Sequence, residues 1–165
     1  MKQWAALLAR LVVGGVWLWA GLAKLTDPLG SVQAVAAYDL LPRALVEPIG
    51  YALPPVEVVV GLALVVGVMT RGAAFISALL FVAFIIGIAS AWARGLEIDC
   101  GCFGGGGYDP DAASKYPWEI ARDAGLLLAS AFVVWAGAGR LALDSLIFRR
   151  HPERDDEHVH DLEGV

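Results

Sequence analysis

The chemistry of this sequence centres on its two cysteines, Cys100 and Cys102, which are separated by a single glycine. Two thiols one residue apart can close a small strained ring, and Gly101 has the backbone freedom that this requires. Strained disulfides are more reducible and are typically labile or catalytic, whereas closing so short a loop removes little chain entropy. The spacing therefore indicates a redox-cycling pair, and it leaves open an inert loop disulfide or two free thiols.

The sequence predicts no metal site. Two cysteines are too few for a disulfide framework or a four-thiolate zinc site. His158 and His160 lie close together near the C-terminus, but the sequence around them supplies no partner ligands.

Arg94 lies six residues before Cys100 and could stabilise a thiolate, an effect that Glu97 and Asp99 oppose.

The elements that must position the cysteines are strongly apolar. Hydrophobic residues make up 58% of the 165 residues, charged residues 18%, and the mean hydropathy is +0.65, against about 45–50% apolar and 25% charged in soluble domains. The 22 residues from Gly72 to Ala93 carry no charge, and as a helix they would span roughly 33 Å, slightly more than a bilayer core. This composition excludes an ordinary soluble enzyme and a disordered chain.

The other apolar runs resemble that segment. Backbone groups in lipid must be hydrogen-bonded within their own segment, and continuous runs without alternation exclude a barrel. We therefore predict an all-α fold, an integral membrane four-helix bundle in residues 1–148 with spans at 5–25, 54–70, 72–93 and 119–143. Arg10 interrupts the first run, which favours a retained helix over a cleaved signal peptide.

The segments between and after the spans have their own patterns. Ser31 to Tyr38 predicts a short amphipathic helix between helices 1 and 2, with Ser31 as its N-cap. Pro54-Pro55 is expected to open the second span, where a missing N–H costs least. Residues 149–165 are acidic and predict a solvated cytoplasmic tail.

The distribution of charge predicts partners and orientation. A net charge of −5 with no dense basic cluster excludes nucleic acid and leaves membrane lipid as the expected surroundings. Under the predicted topology, seven Lys and Arg residues lie on the side of both termini and five on the other side. The positive-inside rule then places both termini in the cytoplasm, with Cys100 and Cys102 in the oxidising extracytoplasmic compartment of this multi-pass cell-membrane protein.

A set of ionisable residues lies at the predicted outer ends of the helices: Lys24, Glu57, Arg94, Arg122 and Asp123. Charged residues at this depth are costly and usually face a cavity or one another. We predict that Glu57 pairs with Lys24, Arg94 or Arg122 and closes a polar floor beneath the cysteine loop. Interfacial snorkelling is the alternative for Lys24 and Arg122.

The sequence resembles a known family, the MauE branch of the DoxX-like membrane proteins, over about residues 11–143. The resemblance is carried, in chain order, by GLAKLTDP at 21–28, YDLLP at 38–42, LPPVE at 53–57, RG at 94–95, DCGCFG at 99–104 and Trp118 with Arg122-Asp123. It implies an integral membrane partner for extracytoplasmic thiol–disulfide chemistry, linked in the family's namesake to maturation of methylamine dehydrogenase.

The resemblance also implies a partner and a cofactor. Proteins of this shape are similar to membrane oxidoreductases that pass electrons between thioredoxin-fold proteins and quinone. Those relays use two cysteine pairs, whereas this chain has one. Cys100 and Cys102 would therefore serve both ends of a relay or only the thioredoxin-fold partner, and quinone is the candidate cofactor.

Two classes of function compete on these observations. The first is a thiol–disulfide oxidoreductase or its electron-transfer subunit, in which Cys100 and Cys102 exchange electrons with the partner through a mixed disulfide. The second is a non-catalytic membrane subunit of a larger respiratory or maturation complex, in which Cys-Gly-Cys is a structural disulfide. A small-molecule carrier ranks last, because the chain shows no inverted repeat.

Overall fold

The computed structural model describes residues 2–137, and this part of the chain is all-helical, as predicted. Its helices are α1 (Lys2–Leu25), α2 (Pro28–Ala37), α3 (Arg43–Val66), α4 (Thr70–Ala93) and α5 (Ala112–Ala136). By length and composition α1, α3 and α4 could each cross a membrane. In α5 the charged residues lie in the first half, and the end of the predicted fourth span and the acidic tail lie outside the described residues.

The four long helices pack in a ring around one apolar core. α1 contacts α3 and α5, α4 contacts α5 and α3, and α2 lies on α3. Trp17 is almost fully buried in this core, with its ring 4.5 Å from that of Phe81 and its indole N–H donating to Ser77 Oγ at 2.7 Å. The indole polar atom is therefore satisfied within the core, as a buried tryptophan requires.

Glycines bring α1 and α3 close together. A Cβ on Gly14 would lie 3.0 Å from the carbonyl oxygen of Gly61, and a Cβ on Gly21 would lie 2.9 Å from the carbonyl oxygen of Pro54. Small residues permit this backbone approach, which is typical of helix pairs in membrane proteins. The approach at Gly21 bears on the site, because the helices are antiparallel and this contact lies between Lys24 and Glu57, each three residues from it in opposite directions.

The start of the second long helix differs from the prediction. α3 begins at Arg43 rather than at Pro54, so Pro48, Pro54 and Pro55 lie inside it. A proline removes a helical hydrogen bond, and this local penalty is the reason that Pro54-Pro55 was predicted to start the helix. Packing compensates: Gly50 is buried so closely against α2 that a Cβ there would lie 2.6 Å from the Cα of Val32. Neighbouring helices commonly stabilise proline-containing helices in this way.

Two other helix starts also differ from the prediction. The N-cap of α2 is Asp27, whose Oδ1 accepts the N–H of Gly30 at 3.0 Å, and Pro28 opens the helix. Ser31, the predicted cap, is buried inside α2 instead. α5 begins at Ala112, before the predicted residue 119, which brings Tyr116 into the helix and against the cysteine loop.

Candidate functional site

The cysteine loop joins α4 to α5 and is closed at its base by backbone pairing. Ile98 and Tyr108 form an antiparallel bridge, and the N–H of Asp99 donates to the carbonyl oxygen of Gly107 at 2.9 Å. These contacts hold residues 100–106 as a short excursion from a fixed base. The loop is therefore anchored at both ends, although it contains four consecutive glycines.

Two tyrosines hold this loop in place, and neither was among the predicted site residues. Tyr116 of α5 is buried, and its hydroxyl donates to the carbonyl oxygen of Leu96 at 2.7 Å. Tyr38, which follows α2, donates from its hydroxyl to the carbonyl oxygen of Cys100 at 2.9 Å. Burial raises the pKa of Tyr38, so its hydroxyl remains a protonated donor. Tyr38 stood in the YDLLP motif, but only the tertiary structure gives it a role.

The loop sits directly on α2 through glycines. Gly101 has φ +63° and Gly106 has φ +122°, a backbone region that favours glycine. A Cβ at either position would lie 2.7 Å from the Cβ of Ala34 on α2. The freedom predicted for Gly101 is thus used both for its backbone angle and for close contact with the helix.

The two thiols differ in exposure. Cys100 is half-buried, Cys102 is 6% exposed, and they are not joined to each other. The N–H of Cys102 donates to the Cys100 sulfur at 3.4 Å. A side-chain hydrogen bond with Cys100 and then burial raise the pKa of the Cys102 thiol. Cys100 is therefore the more accessible sulfur, and Cys102 is the inner one.

A buried ion pair lies on the inner side of the cysteine loop, as predicted. The ammonium nitrogen of Lys24 on α1 is 2.6 Å from Oε1 of Glu57 on α3, and the Glu57 side chain is fully buried. Lys24 also lies 5.2 Å from the ring centroid of Phe84 on α4, a cation–π distance. Removing one member of such a pair typically costs about 3–5 kcal/mol, because the other charge is left buried alone.

A second charged pair reaches the loop from α5. The guanidinium of Arg122 bonds Asp123 Oδ1 at 2.9 Å and lies 4.6 Å from the ring centroid of Phe103, the residue after Cys102. Asp123 is almost fully buried, and its charge acts on Cys102. Lys24 acts electrostatically on both Asp123 and Cys102, so the two pairs belong to one site.

Arg94 does not take the place that the sequence suggested. Its guanidinium donates to the carbonyl oxygen of Tyr38 and, at 3.3 Å, to that of Ser90, so it pairs with no carboxylate of the floor. Arg94 therefore acts on the loop indirectly, through Tyr38. The reason is its position, because Arg94 is the C-cap of α4 and lies beside the segment that follows α2. Glu119, which the sequence left outside the floor, lies beside Cys100, and its Oε2 is buried without a hydrogen-bond partner among residues 2–137.

A small cavity of about 40 Å³ separates the thiols from the floor. Its polar lining comes from Lys24, Ser31, Tyr38, Cys100 and Cys102. The Ser31 hydroxyl is buried and has no hydrogen-bond partner within the described part of the chain. The cavity is large enough to hold water, which needs polar partners of this kind.

An apolar groove of about 340 Å³ adjoins the cavity between α2, α3 and α4. The two spaces share Val35, Tyr38, Leu53 and Phe84 in their linings. The rest of the groove is lined by residues that include Leu40, Ile49, Leu80 and Gly87. An apolar space with a polar edge fits a lipid-soluble group such as quinone, whose headgroup would meet the groove at Tyr38.

Comparison with known proteins identifies the family. The family described as "Methylamine utilisation protein MauE" matches residues 2–136. The methylamine utilization protein MauE of Methylophilus methylotrophus is 39% identical over 98 residues, which are 59% of this chain and 52% of that protein. The chain thus matches about half the length of this curated relative, and no solved structure matches it. The match over nearly all described residues shows that the chain belongs to the MauE family.

Proposed function

We propose that the protein is a membrane component of extracytoplasmic thiol–disulfide exchange, in which Cys100 and Cys102 exchange electrons with a thioredoxin-fold partner. The observation that carries the proposal is the pair of free thiols on a loop held by two tyrosines and backed by buried charges. Ionisable groups that are buried beside specific charged partners in a cavity are typical of functional sites. The curated relative is named a methylamine utilization protein, and we infer that the exchange serves the same process.

The exposure of the two thiols supports an order of attack. The half-buried Cys100 is the sulfur that a partner can reach. As a thiolate it attacks one sulfur of the partner's disulfide, forms a mixed disulfide and releases the partner's other sulfur as a thiolate. Cys102 then attacks Cys100 Sγ, which closes the Cys100–Cys102 disulfide and leaves the partner with both thiols. Two electrons pass to the partner, and the reverse sequence oxidises it.

The outer surface of the helix ring supports a membrane location for all four long helices. Each presents large apolar side chains outward, for example Trp19 on α1, Val59 on α3, Ile86 on α4 and Leu128 on α5, all more than half exposed. Apolar exposure on every side is typical of lipid contact and unfavourable in water. We place the cysteine loop on the extracytoplasmic side and both termini in the cytoplasm, following the Lys and Arg count.

Quinone is the cofactor that the groove would suit. Bound there, it would supply a two-electron acceptor or donor for the thiol pair. The chain's own contribution is an apolar lining for the tail and the Tyr38 and Lys24 side chains at the headgroup end. Tyr38 also separates the groove from the thiols, because it lines both spaces and bonds the Cys100 carbonyl oxygen.

The second candidate is a non-catalytic subunit in which Cys-Gly-Cys serves as a structural clip. The observation in its favour is how firmly the loop is already held, by Tyr38, by Tyr116 and by the bridge at its base. In that case neither thiol needs access to a partner. The partial exposure of Cys100 favours the exchange reaction.

Single-cysteine variants in the parent cell separate the two candidates. Cys102→Ser leaves Cys100 able to attack but unable to be released, so we expect an intermolecular disulfide on a non-reducing gel. Cys100→Ser should give little of this species, since Cys102 is buried, and Cys100→Ser with Cys102→Ser none. A Cys102→Ser variant that traps no protein in cells that continue normal disulfide chemistry would establish the clip.

A further inference from the structure

The Lys24–Glu57 pair is placed to do more than join α1 to α3. Lys24 lines the small cavity together with Cys102, while Oε1 of Glu57 lies 2.6 Å from the same ammonium group. One cation therefore has two potential anionic partners, the carboxylate of Glu57 and the sulfur of Cys102. The other oxygen of Glu57 has no hydrogen-bond partner among the described residues, so its charge depends largely on Lys24.

The inner thiol needs such a cation if it is to attack Cys100. Burial disfavours a thiolate, and an opposite charge nearby favours it. Cys100 and Asp123 oppose ionisation of Cys102, whereas the cations Lys24 and Arg122 promote it. Asp123 is itself paired with Arg122, so Lys24 is the cation available from the cavity side.

We propose that Lys24 is a shared positioning cation: it stabilises the Cys102 thiolate during release of the partner, and Glu57 restrains that effect by competing for the same ammonium group. The proposal rests on the exchange reaction proposed above. The Cys102 proton leaves to solvent through the cavity, and the thiolate that remains attacks Cys100 Sγ of the mixed disulfide. That bond closes the Cys100–Cys102 disulfide, and the partner's sulfur leaves with the electron pair of the broken bond.

The sign of each substitution follows from this competition. Lys24→Met removes the cation, so less thiolate forms at a given pH. Glu57→Gln removes the competing carboxylate but leaves Lys24 in place, so more thiolate forms. A purely structural pair gives a different result, because loss of either member would disturb the site without raising reactivity. Since an opposite charge shifts a pKa by about 1–3 units, a change of roughly tenfold or more in thiolate fraction is expected for Lys24→Met.

The measurement is the alkylation rate of Cys102 by iodoacetamide against pH, in full-length Cys100→Ser protein in lipid nanodiscs. We expect Glu57→Gln to shift the profile to lower pH and to speed alkylation several-fold at neutral pH. Lys24→Met should shift it to higher pH and slow alkylation about tenfold or more. The surface pair Lys115–Asp109, at 2.5 Å, is the matched control, and Lys115→Met should leave the profile unchanged.

If Lys24→Met alone does not fold, the test uses the double variant Lys24→Met with Glu57→Gln, because the double variant leaves no buried charge unpaired. Lys24→Met with Glu57→Gln should alkylate about tenfold more slowly than the parent, because Glu57 acts through Lys24. A Glu57→Gln profile that is unshifted or moved to higher pH overturns the proposal, as does a double variant as fast as the parent. Trapping of the partner on Cys100 is independent of this result, so the exchange reaction would survive such a failure.

Discussion

At the scale of single residues, several side chains hold the backbone of the cysteine loop in place. Tyr38 fixes the carbonyl oxygen of Cys100, and Arg94 in turn fixes the carbonyl oxygen of Tyr38. Tyr116 on α5 fixes the carbonyl oxygen of Leu96, in the segment that leads into the loop. Hydrogen bonds of this kind contribute about 0.5–1.5 kcal/mol each, enough to set how often the loop opens.

Tyr38→Phe should loosen the cysteine loop. The substitution removes the bond to the Cys100 carbonyl oxygen and keeps the ring, which packs beside Gly87. We expect a loss of about 1 kcal/mol in the free energy of unfolding and faster alkylation of Cys100 in a Cys102→Ser background. Tyr51→Phe is the control, because Tyr51 lies on α3 outside the cysteine loop and is 44% exposed. Equal alkylation rates in the two variants would show that Tyr38 does not restrain the loop.

At the scale of helices, the close approach of α1 and α3 positions the floor of the site. Gly21 of α1 lies against the backbone of α3 at Pro54. The two helices are antiparallel, so Lys24 and Glu57 lie three residues from this contact in opposite directions, and the ion pair spans it. A substitution that separates the helices here is therefore expected to disturb the ion pair.

Gly21→Ala should therefore destabilise the protein and weaken the pair. Its Cβ would lie 2.9 Å from the carbonyl oxygen of Pro54, and overpacking of this kind typically costs about 1–3 kcal/mol. Gly15→Ala is the matched control on the same helix, because its Cβ would meet nothing within 4 Å in the described structure. Thermal unfolding in nanodiscs should show a lower midpoint for Gly21→Ala only. Equal midpoints would contradict the close contact.

At the scale of the whole molecule, charge and apolar surface divide the chain into two zones. The helix ring presents apolar side chains outward on every long helix, whereas the cysteine loop and the two charged pairs gather at one end. A bilayer accommodates this arrangement, with the apolar ring in hydrocarbon and the loop at the interface. The proposed reaction needs that loop in the compartment where disulfides form.

The proposed orientation, with the cysteine loop outside the cell and both termini inside, predicts which thiols an impermeant reagent can reach. In intact cells expressing the reduced Cys102→Ser protein, a membrane-impermeant maleimide should label Cys100. A single cysteine at Gly72→Cys, in a background lacking both native cysteines, is the control for the opposite side, and Gly72 has open space around it in the described structure. It should be labelled only after permeabilisation. Exchange of the two labelling patterns would reverse the topology.

The sequence by itself determined the helical class and the apolar segments, and it led to the hypothesis of thiol chemistry at Cys-Gly-Cys. These features depend on local composition, and charge-free runs and paired thiols can be read without knowing any neighbour. The sequence also predicted that Glu57 would be paired, because a short buried carboxylate needs a cation. Its partner remained one of three, and the packing of Gly21 on α3 selects Lys24.

Only the tertiary structure decided where α3 begins, which group Arg94 binds and which tyrosines hold the loop. Pro54-Pro55 predicts a helix start locally, yet α1 and α2 pack on this stretch and keep it helical. Arg94 and Tyr38 are far apart in sequence and meet because the segment after α2 packs against the end of α4. Such contacts depend on how helices approach one another, and hydropathy and spacing along the chain do not encode the choice among similar partners.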